Sequence, residues 1–192
     1  MDNPINKTGV SAVWGGRGAG KTTLSQKEIL PQLDEQRIVV IDPMSLTGHK
    51  TARSAVEALY AGEKRIVLAT SNRHHAIPMI YACWAHSTKD DPIYIICDEA
   101  PEYLDKDTDG LSKIMFQGRH RGFGMLLLGQ RPNALSAQIR SQIESTFWMR
   151  QIDHTDIETA RKMIGPEKAA RLPAMKAGEF IRHPERTENE TK

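Results

Sequence analysis

One glycine-rich segment constrains the fold more than any other part of the sequence. It fits the pattern G-x-x-x-x-G-K-[ST] at every fixed position, as Gly15-Gly16-Arg17-Gly18-Ala19-Gly20-Lys21-Thr22. Glycines let a backbone curl so that successive N–H groups point at one anion. A β-branched run precedes the segment and a helical stretch follows it, which adds the positive end of a helix. The segment therefore predicts a phosphate-binding loop for a nucleoside triphosphate.

The loop also predicts which groups contact the nucleotide. We expect residues 15–23, ending at Thr23, to surround the phosphates, and Lys21 to reach the β- and γ-phosphates. The Thr22 hydroxyl is the expected ligand of Mg²⁺. The sequence has no Asn-Lys-x-Asp guanine reader, because residues 6–9 lack the aspartate and lie before the first predicted strand. This favours ATP over GTP.

Two carboxylates follow the apolar run 93–97 and form the second candidate element of the site. At the carboxyl end of a parallel strand, Asp98 and Glu99 face the nucleotide crevice. Asp98 is expected to hold the Mg²⁺ shell, and Glu99 to take a proton from an attacking water. A carboxylate directly after the metal aspartate is what an NTP hydrolase requires.

Alternating strand and helix patterns predict an α/β domain with a mostly parallel central sheet flanked by helices. The pattern also predicts a first helix that Pro31 stops, a helix over 75–87 with Pro78 in its first turn, a short helix over 135–143, and strands over 146–151 and 179–182. Two predicted strands, 37–41 and 65–70, lie between the phosphate loop and Asp98. We therefore expect a further strand, 124–129, to insert between the loop strand and the acidic strand. That insertion would bring Gln130 to the γ-phosphate, where an amide can donate to phosphate and accept from water.

Composition limits the remaining classes. The chain has 192 residues, a formal net charge of +2 and 39% hydrophobic residues, which excludes a globally basic histone-like binder and an acidic disordered chain. We predict one domain over residues 1–183 and a disordered charged tail over residues 184–192. No apolar run reaches the ~20 residues of a membrane span, and the N-terminus does not resemble a signal peptide. The expected location is the cytoplasm.

The segment from Gly118 to Pro132 resembles the arginine-to-glutamine segment of HerA–FtsK type motor ATPases. In that family a G-R-x-x-G turn leads into an apolar strand that ends in T-Q-R-P, and here the turn is 118–122 and the strand ends at Gly129-Gln130-Arg131-Pro132. With the phosphate loop and the acidic pair, the resemblance covers about residues 10–164. Gly129 departs from the pattern, since the family has threonine or another small polar residue there.

The resemblance implies a RecA-like core that forms a homo-oligomeric ring, expected to be a hexamer, and that translocates double-stranded DNA by hydrolysing ATP. Arg119 matches the arginine that family members insert into the neighbouring subunit's site, where a guanidinium neutralises charge on the γ-phosphate. Arg121 lies two residues further on and is the alternative. Lys21, Glu99, Gln130 and Arg119 are thus the expected catalytic set.

Chain size is similar to that of the genome-packaging ATPases of tailless viruses and phages. This similarity implies a capsid vertex or a membrane-associated viral protein as a further partner, and it implies the host cytoplasm, the virion or both as the location. Three other functions remain open on the sequence. They are a nucleotide or small-molecule kinase of the P-loop class, a filamentous-phage assembly or DNA-transfer ATPase, and a nucleotide-binding scaffold that does not hydrolyse ATP.

Overall fold

The computed structural model describes residues 5–33, 35–106 and 110–184. Its centre is a sheet of seven strands in the order β3-β2-β4-β5-β1-β6-β7. The strands are β1 (Val10–Trp14), β2 (Arg37–Ile41), β3 (Arg65–Leu68), β4 (Ile93–Cys97), β5 (Phe123–Gly129), β6 (Ser145–Trp148) and β7 (Ile181–His183). All pairs are parallel except the antiparallel pair of β6 and β7. The predicted α/β class with a mostly parallel sheet is confirmed.

The central strands are buried on both faces, as parallel strands covered by helices are. Every residue of β1, β4 and β5 is buried. Side chains alternate between two separate hydrophobic clusters, so that Ala12 and Trp14 of β1 lie in one and Val13 lies in the other. The phosphate loop and the acidic pair therefore follow rigid strands.

The strand order explains how the candidate site residues meet. β5 lies between β1 and β4, with Trp14 opposite Gly129 and Leu127 opposite Cys97. The predicted insertion of this strand is confirmed. Because the three strands run in the same direction, the residues that follow their carboxyl ends are neighbours at one edge of the sheet.

Helices cover both faces of the sheet. The labelled helices are α1 (Lys21–Leu24), α2 (Ala52–Tyr60), α3 (Arg73–His86), α4 (Leu111–Gln117), α5 (Ala137–Arg140), α6 (His154–Ile164) and α7 (Pro166–Arg171). The N-terminus of α6 is capped by Asp153, whose side chain accepts from the backbone N–H groups of Thr155 and Asp156. Thr51 and Asn72 cap α2 and α3 in the same way.

Two expectations about prolines were wrong. The first helix does not stop at Pro31, because α1 continues into a π-helical segment (Ser25–Ile29) and a 3₁₀ turn (Leu30–Leu33). Pro31 occupies the first turn of that 3₁₀ segment, where its missing N–H is not needed. Pro78 lies in the second turn of α3 instead of the first, because the Asn72 cap starts the helix earlier than the predicted residue 75.

Several predicted boundaries change near the carboxyl-terminal half. The predicted helix 135–143 is reduced to α5, which Ser136 caps. The sixth strand ends at Trp148 instead of residue 151, because the chain then turns to the phosphate loop, where Gly16 donates to the carbonyl of Arg150. The strand predicted over 179–182 occurs as β7. The predicted tail lies outside the described residues after Pro184.

Candidate nucleotide site

The phosphate loop connects β1 to α1 at the carboxyl edge of the sheet. Its first residues are tied to neighbouring strands, since Gly15 donates to the carbonyl of Gly129 at 3.2 Å and Gly16 donates to that of Arg150 at 2.9 Å. Gly20 has a φ of 102° and lies against the backbone of Gly178. A Cβ at this position would be 3.1 Å from the Gly178 nitrogen, so both the conformation and the close approach require glycine.

Lys21 begins α1 with its side chain turned back over the loop. Its Nζ donates to the carbonyl oxygen of Gly15 at 3.0 Å and approaches that of Gly16 at 3.5 Å. Only 8% of the residue is exposed. The ammonium group is thus held at the mouth of the loop, next to the N–H groups that an anion would contact.

A cavity of about 510 Å³ opens beside the loop and brings most of the predicted site together. Of the predicted residues, its walls include Arg17, Gly18, Gly20, Lys21, Thr22, Thr23, Asp98, Glu99 and Gln130. Gly15, Gly16 and Ala19 shape the loop behind this wall. Three separate stretches of the sequence therefore meet around one space of the size that small-molecule sites have.

The acidic pair is held by backbone contacts at the end of β4. The backbone N–H of Asp98 donates to the carbonyl of Ile41 at 2.8 Å, and its carboxylate accepts from the N–H of Glu99 at 2.9 Å. The hydroxyl of Tyr103 donates to the Asp98 carbonyl at 2.9 Å. Burial raises the pKa of the Asp98 carboxyl, and the neighbouring carboxylates of Asp42 and Glu99 act in the same direction.

Glu99 and Gln130 form a direct contact between two of the strands. The Gln130 amide nitrogen donates to Glu99 Oε1 at 3.2 Å, and the Gln130 carbonyl accepts from the Gln151 side chain at 2.9 Å. Glu99 has φ 45° and ψ 42° and is the one non-glycine residue with positive φ in the described part of the chain. Such strain at a cavity wall is typical of a functional position.

Two residues on the cavity wall were missed by the sequence analysis. Asp42 and Met44 follow β2 and line the same cavity as the phosphate loop. The available signal was a carboxylate directly after an apolar parallel strand, the same signal that identified Asp98. It was not sufficient, because chain order does not reveal that β2 pairs with β4.

Arg119 lies far from this cavity. It belongs to the 3₁₀ turn Gly118–Arg121 that precedes β5, whereas Gln130 follows β5. A strand of seven residues is about 20 Å long, so Arg119 is at the opposite edge of the sheet. Its guanidinium lies 5.1 Å from the centre of the Phe116 ring.

Arg121 has a different environment from Arg119. Its Nε donates to the carbonyl of Trp84 at 3.0 Å and its Nη2 donates to that of Ala85 at 2.8 Å. The guanidinium also stacks on the Trp84 ring, 4.8 Å from its centre. Arg121 thus satisfies carbonyls at the carboxyl end of α3.

The sequence of this chain is similar to that of proteins whose function is known. No protein-family model matches the chain. It is 30% identical over 99 residues to the DNA double-strand break repair helicase HerA of Sulfolobus acidocaldarius, and 30% identical over 98 residues to that of Saccharolobus solfataricus. Each match covers 47% of this chain and 20% of the relative. The chain therefore spans about a fifth of the length of these curated relatives.

Solved structures show the same fold over nearly the whole chain. The genome packaging NTPase B204 of Sulfolobus turreted icosahedral virus 2, in complex with AMPPCP, matches with a TM-score of 0.77 at 20% identity, over 92% of both chains. EccC of Thermomonospora curvata matches with a TM-score of 0.59 at 15% identity, over 94% of this chain and 37% of that chain. The chain therefore resembles HerA in sequence over about half of its length, and it shares the fold of these P-loop ATPases.

The departure of Gly129 from the HerA–FtsK pattern has a local cause. A Cβ at Gly129 would lie 2.8 Å from Cδ and 2.9 Å from Cγ of Pro101, and 3.0 Å from Cζ3 of Trp14. The proline after the acidic pair and the tryptophan before the phosphate loop fill the space of a side chain. Glycine is required here by close packing, while Gln130 keeps its place on the cavity wall.

Two kinds of feature are absent from the residues that the structure describes. Within 5–33, 35–106 and 110–184, no helix is long and apolar enough to cross a membrane. The same residues contain no group of three or more His, Cys, Asp or Glu side chains arranged to hold a metal ion by themselves.

Proposed function

We propose that the chain hydrolyses ATP and uses it to move double-stranded DNA through a homo-oligomeric ring, most specifically a hexamer that packages a viral genome. One observation carries the hydrolysis step. Glu99 and Gln130 are hydrogen-bonded to each other on the wall of the cavity that the phosphate loop also lines. A carboxylate and an amide beside the phosphates are the groups that activate and orient a water molecule.

Each residue of the wall has a defined task in this proposal. The loop N–H groups and Lys21 bind the phosphates. Thr22 and Asp98 would hold Mg²⁺, since a hydroxyl and a carboxylate on one wall fit an ion that completes its shell with phosphate oxygens and water. The bound ion supplies neutralisation of phosphate charge. Glu99 accepts the proton of the attacking water, and Gln130 holds that water in line.

The arginine of the reaction is proposed to come from the next subunit. Arg119 lies at the edge of the sheet opposite to its own cavity, which supports a role in trans. Arg121 is bound to the end of α3 by two hydrogen bonds, which supports Arg119 over Arg121 as the inserted residue. An arginine supplied in this way contributes on the order of 10³–10⁵ to the rate in other NTPases.

The role in packaging is supported by the extent of the structural match. The genome packaging NTPase B204 shares the fold of this chain over 92% of both chains, at 20% identity. We therefore favour genome packaging over a repair function. A capsid vertex or a membrane-associated viral protein is the corresponding partner, in the virion or in the host cytoplasm.

The test measures ATP turnover and oligomeric state together, with and without duplex DNA. We expect phosphate release without any added acceptor, faster with DNA, and a ring by sedimentation or native mass spectrometry. Lys21→Ala should lose ATP binding and turnover, because the phosphates lose their buried cation. Transfer of phosphate only to an added nucleoside would establish the kinase alternative, and ATP binding without turnover would establish the scaffold.

A further inference from the structure

Two apolar side chains protrude from the loop between β2 and α2. This loop, residues 42–50, is called the 42–50 loop, and it exposes 80% of Met44 and 95% of Leu46. Its backbone is ordered by internal bonds, since the N–H of Met44 donates to Asp42 Oδ1 at 2.8 Å and the Ser45 hydroxyl donates to the Thr47 carbonyl at 2.8 Å. The loop therefore presents Met44 and Leu46 outward from a defined backbone.

The loop is next to the nucleotide cavity. Met44 is one of the residues that line the cavity, together with Asp42, Asp98 and Glu99. Three carboxylates therefore line the cavity beside the two apolar side chains, together with the cations Arg17 and Lys21. A surface with this pattern fits a partner that offers an apolar pocket flanked by cations.

A surface of that kind lies at the opposite edge of the same chain. Phe116 of α4 is 58% exposed. It lines a cavity of about 350 Å³ with Ser112, Lys113, Gln117 and Gln142, which we call the Phe116 pocket. Lys113 lines the pocket, and the guanidinium of Arg119, the candidate trans arginine, lies 5.1 Å from the centre of the Phe116 ring.

We propose that the 42–50 loop of one copy docks into the Phe116 pocket of the next copy. This inference rests on the proposed trans role of Arg119. If Arg119 enters the neighbour's cavity, the ring on which it stacks must arrive beside that cavity, and Met44 forms part of the cavity wall there. Apolar side chains then meet an aromatic pocket, while the cavity carboxylates meet Lys113 and Arg119.

The docking can be tested by crosslinking two cysteines that are placed next to the contact, because this leaves Met44, Leu46 and Phe116 unchanged. Thr47→Cys places a thiol beside Leu46, and Gln117→Cys places one beside Phe116. Both native cysteines, Cys83 and Cys97, are buried, and burial raises the pKa of Cys97 to about 12, so a short bismaleimide reacts with the introduced thiols. Mixing the two single variants should give a covalent dimer, and either variant alone should not.

A second arm tests whether the apolar side chain drives the contact. Leu46→Ser in the Thr47→Cys chain should lower the yield of covalent dimer with Gln117→Cys about tenfold, from the loss of one buried leucine. Tyr60→Ser is the matched control, because Tyr60 is 64% exposed and lies on neither surface. It should leave the yield unchanged.

The outcomes separate this inference from the proposed function. If Arg119 acts in trans but Thr47→Cys and Gln117→Cys give no covalent dimer, the docking is wrong and the ring stands. If neither trans action nor a covalent dimer occurs, both proposals fail. Equal loss of dimer with Leu46→Ser and Tyr60→Ser would also overturn the docking.

Discussion

Glu99 combines backbone strain with a position on the cavity wall. A non-glycine residue with φ 45° costs roughly 1–3 kcal/mol. The conformation lets the chain turn from β4 into a 3₁₀ segment (Ala100–Glu102), and it leaves the Glu99 carboxylate beside Gln130. The backbone of Glu99 is strained, which lowers the stability of the fold, and the same conformation positions its carboxylate on the cavity wall. Strain of this kind is expected at a residue that takes part in the reaction.

Glu99→Gln should stop turnover and leave ATP binding intact. The amide oxygen can still accept from Gln130, but the group no longer accepts a proton, so we expect a loss of about 10²–10⁴ in phosphate release. Glu99→Gly should lose turnover as well while its thermal stability does not fall, because glycine relieves the strain.

The control for both Glu99 variants is Glu102→Gln on the same 3₁₀ segment, which should keep normal turnover. Normal turnover in Glu99→Gln would remove this carboxylate from the chemistry.

Asp98 is predicted to limit the stability of the nucleotide-free chain. Burial raises its pKa, so the folded chain retains a proton over a pH window in which the unfolded chain has released it. Stability therefore falls as the pH rises through that window. Asp98→Asn removes this cost and keeps an oxygen that can accept from the N–H of Glu99.

We thus expect Asp98→Asn to melt at a higher temperature than the parent chain at neutral pH, with a smaller difference near pH ~4, around the usual aspartate pKa. With Mg²⁺ and ATP the order should reverse, because the variant loses the ligand. Scanning calorimetry at two pH values measures both effects, with the exposed Asp90→Asn as control. A lower melting temperature at neutral pH would contradict the assignment.

At the scale of elements, β5 connects the packing of the fold to the site. Gly129 ends this strand against Pro101 and Trp14, and the next residue is Gln130. Trp14 is fully buried, and its indole nitrogen has no hydrogen-bond partner among the described residues. Packing alone therefore holds the indole ring of Trp14 in place, and the same packing excludes a side chain at Gly129.

Gly129→Ala should destabilise the chain by about 1–3 kcal/mol through overpacking. Pro101→Ala removes the two nearest atoms, so the cost of Gly129→Ala should be smaller in that background, with a coupling of about 0.5 kcal/mol or more. Chemical denaturation of the parent, both single variants and the double variant measures the coupling. Equal costs in the two backgrounds would show that Pro101 does not exclude the side chain.

The strands could be predicted from the sequence, whereas one helix and one arginine contact could not. Runs such as 37–41 and 93–97 are apolar at every position or nearly so, and their bounds agree with β2 and β4. α7 was missed, since Pro166–Arg171 has little apolar periodicity and packs mainly through Ala169. The anchoring of Arg121 was also not predictable, because it depends on where α3 ends in space.

At the scale of the whole molecule, the sheet separates the two edges to which we assign functions. The nucleotide cavity and the 42–50 loop are at the carboxyl edge, and Arg119 and the Phe116 pocket are at the other. A chain built in this way cannot complete its own site with Arg119. Arg119→Ala should therefore bind ATP normally and hydrolyse it poorly.

Mixing Arg119→Ala with Lys21→Ala should restore part of the turnover. An Arg119→Ala subunit has an intact phosphate loop, and a Lys21→Ala neighbour still offers its arginine. Phosphate release from demonstrated mixed assemblies is the measurement. Arg121→Ala is the control, which should lower the melting temperature and gain nothing from mixing. Mixed assemblies without recovered turnover would exclude the trans role of Arg119.

In an assembly that pairs the two edges as proposed, their separation determines the symmetry. Contact between unlike surfaces is heterologous, so it never closes in a pair and continues until rotation brings the last copy back to the first. An open pair would contain one complete site and one without an arginine, and each added copy would add one complete site. The last site receives its arginine only when the assembly closes into a ring. Turnover per chain should therefore rise with each step of assembly and reach its maximum when no free edge remains.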